Sequence, residues 1–230
     1  MTTNDIQILQ GTTAPLKGIR RAAARQMVAA WEAPAFHLTV EVDMTNALTV
    51  KAVSPHSTVT DRLISATATA LQENPGLNAH YSDDGVTTFE DINIGIAVAT
   101  EHGLTVPVIH EVTSLSLPDI AQRRREVVEK ARARKLGMAD ISAGTFTISN
   151  LGMLGIDRFD AIINVPQVAI LAVASTRQRY VMAVGQPEWR PIAELTLTCD
   201  HRAVDGSMGA VFLKRLKELI EAPIPTTNGS

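Results

Sequence analysis

The stretch Leu195-Thr196-Leu197-Thr198-Cys199-Asp200-His201-Arg202-Ala203-Val204-Asp205-Gly206 joins two elements of predicted secondary structure. Residues 195–199 alternate as a strand does, and residues 207–221 have the spacing of an amphipathic helix. His201 stands at the strand end, Asp205 follows it, and Gly206 permits a tight turn. A histidine accepts a proton near neutral pH, so His201 is a candidate general base. The pattern equally fits a loop histidine with Asp205 capping the next helix.

Outward from this stretch, helical and strand patterns alternate along the chain without an internal repeat or a low-complexity tract. The spacing of apolar residues predicts helices at 19–31, 60–73, 117–136 and 207–220. It predicts strands at 36–43, 93–99, 104–109, 144–149, 168–174 and 193–199. Such alternation indicates one mixed α/β domain and leaves its topology open.

The composition fits an enzyme core and excludes several classes of function. The chain has 230 residues, 45% of them hydrophobic, and a formal net charge of -3, which gives no general attraction to nucleic acid or to an anionic membrane. No apolar run reaches the roughly 18 residues that a transmembrane helix needs. The first residues lack the basic and apolar regions of a secretory signal. The single cysteine excludes an internal disulfide and indicates a reducing compartment, so we expect the cytoplasm, or the mitochondrial matrix in a eukaryote.

Two features invite other functions. Cys199 could be a nucleophile, but a small thiol in an apolar strand is predicted to serve packing. The run Arg123-Arg124-Arg125 suggests nucleic acid, yet acidic residues interleave with it at helical spacing, which predicts a solvated helix face. No histidine or cysteine cluster has zinc spacing, so we expect no metal.

Several ordered motifs together resemble one known family. They are residues 15–27 (PLKGIRRAAARQM), 103–109 (GLTVPVI), 144–156 (GTFTISNLGMLGI), 162–173 (IINVPQVAILAV) and 200–206 (DHRAVDG). In this order they resemble the catalytic domain of dihydrolipoyl acyltransferases, the core components of 2-oxo acid dehydrogenase complexes. The resemblance implies an α/β, chloramphenicol-acetyltransferase-like two-layer fold, with a mixed β-sheet flanked by helices.

The resemblance also implies an activity. The expected reaction is acyl transfer, with acetyl favoured, between dihydrolipoamide and coenzyme A in a pyruvate or acetoin dehydrogenase complex. Coenzyme A is then a substrate, and the lipoyl group is carried on another domain or chain. The alternatives are a succinyl or branched-chain acyltransferase of the family, a non-catalytic scaffold, and an antibiotic acetyltransferase on the same fold.

The catalytic residues are assigned by their match to the motifs. The resemblance implies that His201 is the base that deprotonates a thiol and that Ser149 donates a hydrogen bond to the oxyanion. Asp205 is expected to hold the His201 loop, structurally or electrostatically, without transferring a proton. Strand alternation places Thr145 and Thr147 on the same side as Ser149, so either could replace it, and the resemblance favours Ser149.

The candidates for coenzyme A binding are Arg20, Arg21 and Asn150. The two arginines could bind a phosphate or could form ion pairs within the core or between subunits, and both interpretations stay open. Asn150 could bind the cofactor or could shape the turn that follows the strand.

The resemblance further implies a homotrimer with its active sites at the subunit interfaces, where Ser149 of one subunit meets His201 of another. The expected partners are a lipoyl carrier domain and other dehydrogenase components. We expect a flexible arm at residues 1–14, a catalytic domain at 15–222 and a polar tail at 223–230, with no lipoyl domain. The tail has one apolar anchor, Ile224, so we expect trimers without a stable cage.

Overall fold

The computed structural model describes residues 11–183 and 185–225. Its longer helices are α1 (Ile19–Trp31), α4 (Val59–Glu73), α5 (Leu117–Arg132) and α7 (Gly206–Glu221), and its short ones are α2 (Thr45–Leu48), α3 (Val50–Val53) and α6 (Met138–Ile141). Single 3-10 turns lie at Pro75–Leu77, Val112–Ser114 and Gly152–Leu154. The strands are β1 (Ala35–Asp43), β2 (Ala79–Ser82), β3 (Gly85–Thr88), β4 (Ile94–Ile96), β5 (Val98–Thr100), β6 (Gly103–Thr105), β7 (Val108–Ile109), β8 (Phe146–Asn150), β9 (Ala169–Val173), β10 (Arg177–Ala183) and β11 (Gln186–Asp200).

A mixed sheet with the strand order β1-β11-β9-β8-β4-β7 forms the centre of the domain. Strand β8 runs parallel to both β4 and β9, whereas β11 runs antiparallel to β9 and β1. The first half of β11 pairs with β10 to form a long hairpin. Two separate hairpins, β2–β3 and β5–β6, lie outside this sheet.

Helices α4 and α7 cover one face of the sheet and enclose the main core. Phe146 of β8 lies 5.8 Å from Phe212 of α7, measured between ring centroids. Helix α7 lies so close to the sheet that a Cβ at Gly209 would come within 2.7 Å of Leu38 Cδ1. A smaller apolar cluster on the opposite face includes Ala161 and Ile163 from the segment that follows β8. One face of the sheet is therefore covered by helices and the other mainly by loop.

A capping box starts helix α4 and joins it to α5. The Thr58 backbone N–H and hydroxyl both donate to Asp61, at 2.8 Å each. Arg124 of α5 donates to the same carboxylate through Nε at 2.5 Å and Nη2 at 3.1 Å. Asp61 is fully buried, and these donors compensate the cost of burying its charge.

Most of the predicted elements are present, but helix α5, the predicted strands 93–99 and 104–109 and the start of β11 differ from the prediction. Helix α5 ends at Arg132 instead of residue 136, because Arg134 takes a left-handed φ of 58° and the Lys135 N–H bonds back to the Lys130 carbonyl. The predicted strands 93–99 and 104–109 each divide, since β5 and β6 form their own hairpin. The hairpins β2–β3 and β10–β11 were not predicted.

The two ends of the chain are described only in part. The predicted arm at residues 1–14 lies largely outside the described residues, as does the predicted tail beyond Pro225. Ile224, the apolar residue of that tail, is only 8% exposed, so it packs within its own chain. The domain boundaries at residues 15 and 222 stay predictions. None of the described helices is long and apolar enough to cross a membrane.

Candidate active site

His201 lies on a loop that its two sequence neighbours hold together. The Asp200 side chain, 1% exposed, receives hydrogen bonds from the backbone N–H of Arg202 at 3.0 Å and from the guanidinium Nη2 at 2.6 Å. The His201 backbone N–H donates to the Pro34 carbonyl at 3.0 Å. The imidazole ring lies 4.6 Å from the ring of Phe36 and is exposed to solvent. The base candidate therefore stands on a fixed backbone with its side chain accessible.

Asp205 is the N-cap of helix α7. Its Oδ1 accepts the Met208 backbone N–H at 2.9 Å and the Ser207 hydroxyl at 2.7 Å. These two hydrogen bonds lower the pKa of Asp205, and the nearby His201 contributes in the same direction. Asp205 thus fixes the end of the loop by capping the helix. Among the described residues it makes no hydrogen bond to His201.

Ser149 is half-buried near the end of β8, and its hydroxyl makes no hydrogen bond to the described residues. Phe146 and Ile148 belong to the core under the helices, so alternation directs Ser149 to the opposite face of the sheet. The two threonines on the same side are already engaged. Thr145 accepts the Asn93 N–H at 3.0 Å, and Thr147 donates to Gln167 at 2.6 Å. Ser149 is the hydroxyl of this strand that is left to bind a ligand.

One chain does not bring Ser149 and His201 together. Ser149 is in register with Ala172 of β9, and Ala172 is in register with Thr196 of β11. His201 lies five residues beyond Thr196 in sequence, which corresponds to roughly 16 Å along the strand direction. Because β8 and β11 are antiparallel, their ends lie at opposite edges of the sheet. A site that uses both residues needs a second chain.

The three candidates for coenzyme A binding lie in different surroundings. Arg20 and Arg21 are exposed on the first turn of α1 and form no ion pair with any described residue. Asn150 stabilises the turn after β8: its Oδ1 accepts the Gly152 N–H at 2.9 Å, and its Nδ2 donates to Thr60 at 3.4 Å. The arginines are free to bind an anion, whereas the geometry of Asn150 favours a role in shaping the turn.

Cys199 is fully buried, and burial raises the pKa of its thiol to about 12. A thiol of this pKa forms almost no thiolate at neutral pH, which agrees with the packing role predicted for it. No group of three or more histidine, cysteine, aspartate or glutamate side chains in the described part of the chain could hold a metal ion.

Sequence reasoning gave no role to Asp200, Arg202 or Tyr81. Asp200 and Arg202 are visible in the sequence as an acidic and a basic residue on either side of His201, at the end of an apolar run. Tyr81 lies in the unpredicted β2–β3 hairpin, and the Arg202 guanidinium carbon lies 3.9 Å from the centroid of its ring. No sequence signal links these two residues, because the contact depends on where the hairpin folds.

Comparison with solved structures confirms the class of fold. A chloramphenicol acetyltransferase superposes with a TM-score of 0.59 over 85% of this chain and 94% of its own, at 15% identity. At that identity the likeness defines the fold alone, an α/β fold with a mixed sheet flanked by helices.

The family follows from closer relatives. The model of the 2-oxoacid dehydrogenases acyltransferase (catalytic domain) family matches residues 9–227, and the chain belongs to this family. It is 36% identical over 220 residues to the dihydrolipoyllysine-residue acetyltransferase component of the pyruvate dehydrogenase complex of Rickettsia bellii. It is 37% identical to the mitochondrial counterpart of Dictyostelium discoideum. The chain spans 53% and 35% of the lengths of these two proteins, which in turn match 91% and 93% of the chain.

Two solved structures are similar over almost the whole chain. A probable dihydrolipoamide acetyltransferase of Listeria monocytogenes has a TM-score of 0.89 at 34% identity, covering 96% of this chain and 98% of its own. The dihydrolipoamide acetyltransferase of Azotobacter vinelandii has a TM-score of 0.87 at 32% identity, covering 92% of each. In the Azotobacter enzyme a serine, a histidine 52 residues later and an asparagine four residues after that were investigated for roles in catalysis.

Proposed function

We propose that this chain transfers acyl groups, with acetyl preferred, between dihydrolipoamide and coenzyme A as the catalytic core of a pyruvate or acetoin dehydrogenase complex. The observation that carries the proposal is the pair His201 and Ser149. His201 is an accessible imidazole on a restrained loop, and Ser149 is a hydroxyl without a hydrogen-bond partner in the part of the chain that the structure describes. They are separated by 52 residues, as are the histidine and serine investigated in the Azotobacter enzyme.

The reaction needs a base because the attacking group is a thiol. A thiol of pKa about 8.5 is mostly protonated at neutral pH, and the thiolate is the nucleophile. His201 accepts the proton as the sulfur attacks the carbonyl carbon of the thioester. The Ser149 hydroxyl donates to the resulting oxyanion. When the intermediate collapses, the carbon–sulfur bond of the leaving thiol breaks, and His201 returns the proton to that sulfur.

The active site is completed by a second copy of the chain. Within one chain Ser149 and His201 lie at opposite edges of the sheet, and Ser149 is on the face that the helices leave uncovered. A head-to-tail ring of three subunits repeats one Ser149–His201 contact at every interface. Dihydrolipoamide, on a lipoyl carrier domain, enters such a site from one end and coenzyme A from the other. Other dehydrogenase components would supply the acyl group, in the cytoplasm or the mitochondrial matrix.

Arg20 and Arg21 bind coenzyme A phosphates in this proposal. Both are exposed on the first turn of α1 and lack an acidic partner among the described residues. Asn150 shapes the turn beside Ser149 and contributes to the cofactor site through it. No metal takes part in the proposed chemistry, since a histidine base and a hydroxyl donor suffice.

The test measures acyl transfer from coenzyme A thioesters to dihydrolipoamide, with acetyl, propionyl, isobutyryl and succinyl donors. We expect acetyl to give the highest kcat/KM, and we expect His201→Ala to lower kcat by about 10²–10⁴. A wild-type protein that assembles but transfers none of these groups would overturn the proposal in favour of a scaffold. A preference for the succinyl or the isobutyryl donor would instead indicate a succinyl or a branched-chain acyltransferase of the family.

A further inference from the structure

The β2–β3 hairpin is bonded to the segment that also holds the end of β11. The Tyr81 N–H donates to the Pro166 carbonyl at 2.8 Å, and the Val168 N–H donates to the Ala79 carbonyl at 3.1 Å. The Val168 carbonyl in turn accepts the Asp200 N–H at 2.9 Å. The hairpin and the His201 loop therefore share one backbone anchor, residues 166–168.

The Arg202 guanidinium is restrained on its edge and on one face. Its edge donates to Asp200 from Nη2 at 2.6 Å and from Nε at 3.0 and 3.1 Å. Its face lies on the ring of Tyr81, with 3.9 Å between the guanidinium carbon and the ring centroid, which is a cation–π contact. Hydrogen bonding to Asp200 raises the pKa of Arg202, and Asp83 in the hairpin turn adds to this effect.

We infer that Tyr81 is a positioning residue for His201 and acts through Arg202; this inference rests on the proposed function. His201 lies between Asp200 and Arg202, so the pairing of its two neighbours fixes the backbone on both of its sides. Arg202 is 33% exposed, and without the ring of Tyr81 one of its faces would open to solvent. A less restrained guanidinium loosens this pairing and with it the loop.

The contact also matters electrostatically. The imidazolium that forms on His201 during the reaction is disfavoured by a nearby cation. The charged groups beside the loop are Asp200, Arg202, Asp205 and, through the hairpin, Asp83. The Asp200 carboxylate compensates the charge of Arg202, and the ring of Tyr81 holds the guanidinium in that pairing. Loss of Tyr81 is therefore expected to lower kcat and to leave the KM for coenzyme A unchanged.

The experiment compares Tyr81→Leu with Tyr81→Phe, which keeps the ring. We expect Tyr81→Leu to lower kcat about tenfold, within the range of a partly exposed cation–π contact, and to change KM less than about twofold. Tyr81→Phe should stay within about twofold of the wild type. The matched control is Phe89→Leu, just after β3, whose ring contacts His80 at 4.6 Å and not Arg202. This control should keep kcat near the wild-type value.

A double mutant tests whether the effect passes through Arg202. In an Arg202→Gln background, Tyr81→Leu should change kcat less than about twofold, because the contact is already lost. Amide hydrogen exchange gives a readout that does not need activity. The N–H groups of Ala203 and Val204, which bond to the Asp200 carbonyl at 3.1 and 3.0 Å, should exchange about tenfold faster in Tyr81→Leu and at the wild-type rate in Tyr81→Phe.

The outcomes separate this inference from the proposed function. Unchanged kcat and exchange in Tyr81→Leu would overturn the inference and leave the function standing. Equal losses of kcat and of amide protection in Phe89→Leu would also overturn the inference. So would a further tenfold loss of kcat when Tyr81→Leu is added to Arg202→Gln. In either case Tyr81 would only stabilise the hairpin. An inactive wild type with the expected exchange pattern would overturn the proposed function and retain the contact between Tyr81 and the loop.

Discussion

At the scale of single residues, the hydroxyl of Ser149 differs from those of its strand neighbours. Thr145 and Thr147 use their hydroxyls to hold the strand to Asn93 and Gln167, whereas the half-buried Ser149 hydroxyl has no hydrogen-bond partner among residues 11–183 and 185–225. A hydroxyl without an internal partner can donate to an oxyanion without first breaking a hydrogen bond. The geometry therefore favours Ser149 over Thr147 as the donor to the oxyanion, in agreement with the motif at residues 144–156.

Ser149→Ala is therefore expected to lower kcat by about 10²–10³ with little change in the KM for coenzyme A, because the hydroxyl acts on the transition state. Steady-state kinetics with acetyl-coenzyme A and dihydrolipoamide would check this. Thr147→Val is the control. It removes the hydrogen bond to Gln167, so it should lower the melting temperature and change kcat little. A loss confined to KM in Ser149→Ala would place Ser149 in ground-state binding.

Asp205 provides a second prediction, which separates its charge from its hydrogen bonds. The position four residues after the histidine is asparagine in the Azotobacter enzyme and aspartate here. Asparagine caps helices as well as aspartate does, so Asp205→Asn should retain kcat within about threefold. Asp205→Ala removes the cap of α7 and should lower the melting temperature. If Asp205→Asn loses activity as strongly as His201→Ala, the charge itself takes part in catalysis.

At the scale of elements, a buried carboxylate joins the strands that carry the site to the loop after β8. Glu194 of β11 is 4% exposed and accepts Nε and Nη2 of Arg158 and Nη2 of Arg179. Arg179 also pairs with Glu41 of β1, which lies opposite Glu194 in register. The two glutamates would repel each other across the strands, and Arg179 bridges them.

Hydrogen bonds from Arg158, and then from Arg179, lower the pKa of Glu194. A carboxyl group whose pKa is lower in the folded than in the unfolded state stabilises the fold at pH values above its unfolded-state pKa of about 4.3. This stabilisation is lost as the pH falls through the folded-state pKa. Glu194→Gln should therefore cost about 1–3 kcal/mol at pH 7, and this difference from the wild type should shrink below about pH 4. Denaturant unfolding at several pH values would measure it, with the exposed Glu41→Gln as the control. A difference that does not change with pH would contradict the ionic role of Glu194.

The strands and helices could be predicted from the sequence where one face is apolar and periodic. Helix α1 has the predicted bounds, and helix α7 starts and ends within one residue of the prediction. The first half of β11 escaped prediction because Pro187 and Pro191 interrupt its alternation. These prolines are tolerated there, because residues 186–191 form a ladder with β10 only and the ladder with β1 begins at Ile192.

The site was predictable only in its single residues. The motif around His201 and the serine in β8 are visible in the sequence, but periodicity does not place them relative to each other. The prediction that they meet between chains came from the resemblance, and the sheet register supports it, because it separates the two residues within one chain. The contact of Tyr81 with Arg202 joins residues far apart in sequence through a hairpin, and no local pattern encodes it.

At the scale of the whole molecule, a site built from Ser149 and His201 requires an assembly of chains. Within a single chain, Ser149 and His201 lie at opposite edges of the sheet and do not meet. We expect light scattering at micromolar concentration to give a mass near three chains: a repeated head-to-tail interface closes into a ring, and the family resemblance implies three subunits. Because Ile224 packs within its own chain, it is not available as an anchor between trimers. A stable particle of many trimers would contradict the expectation that cages are absent.

We expect each active site to take Ser149 from one chain and His201 from another. The most direct test of this arrangement mixes two inactive variants, Ser149→Ala and His201→Ala, by co-expression or by refolding together. In trimers formed at random from equal amounts, about a quarter of the interfaces combine an intact Ser149 with an intact His201. We expect acetyl transfer to recover to about a quarter of the wild-type rate in the mixed trimers, while each variant alone stays at least about a hundredfold below the wild type. No recovery in mixed trimers whose composition is verified by mass spectrometry would contradict this arrangement.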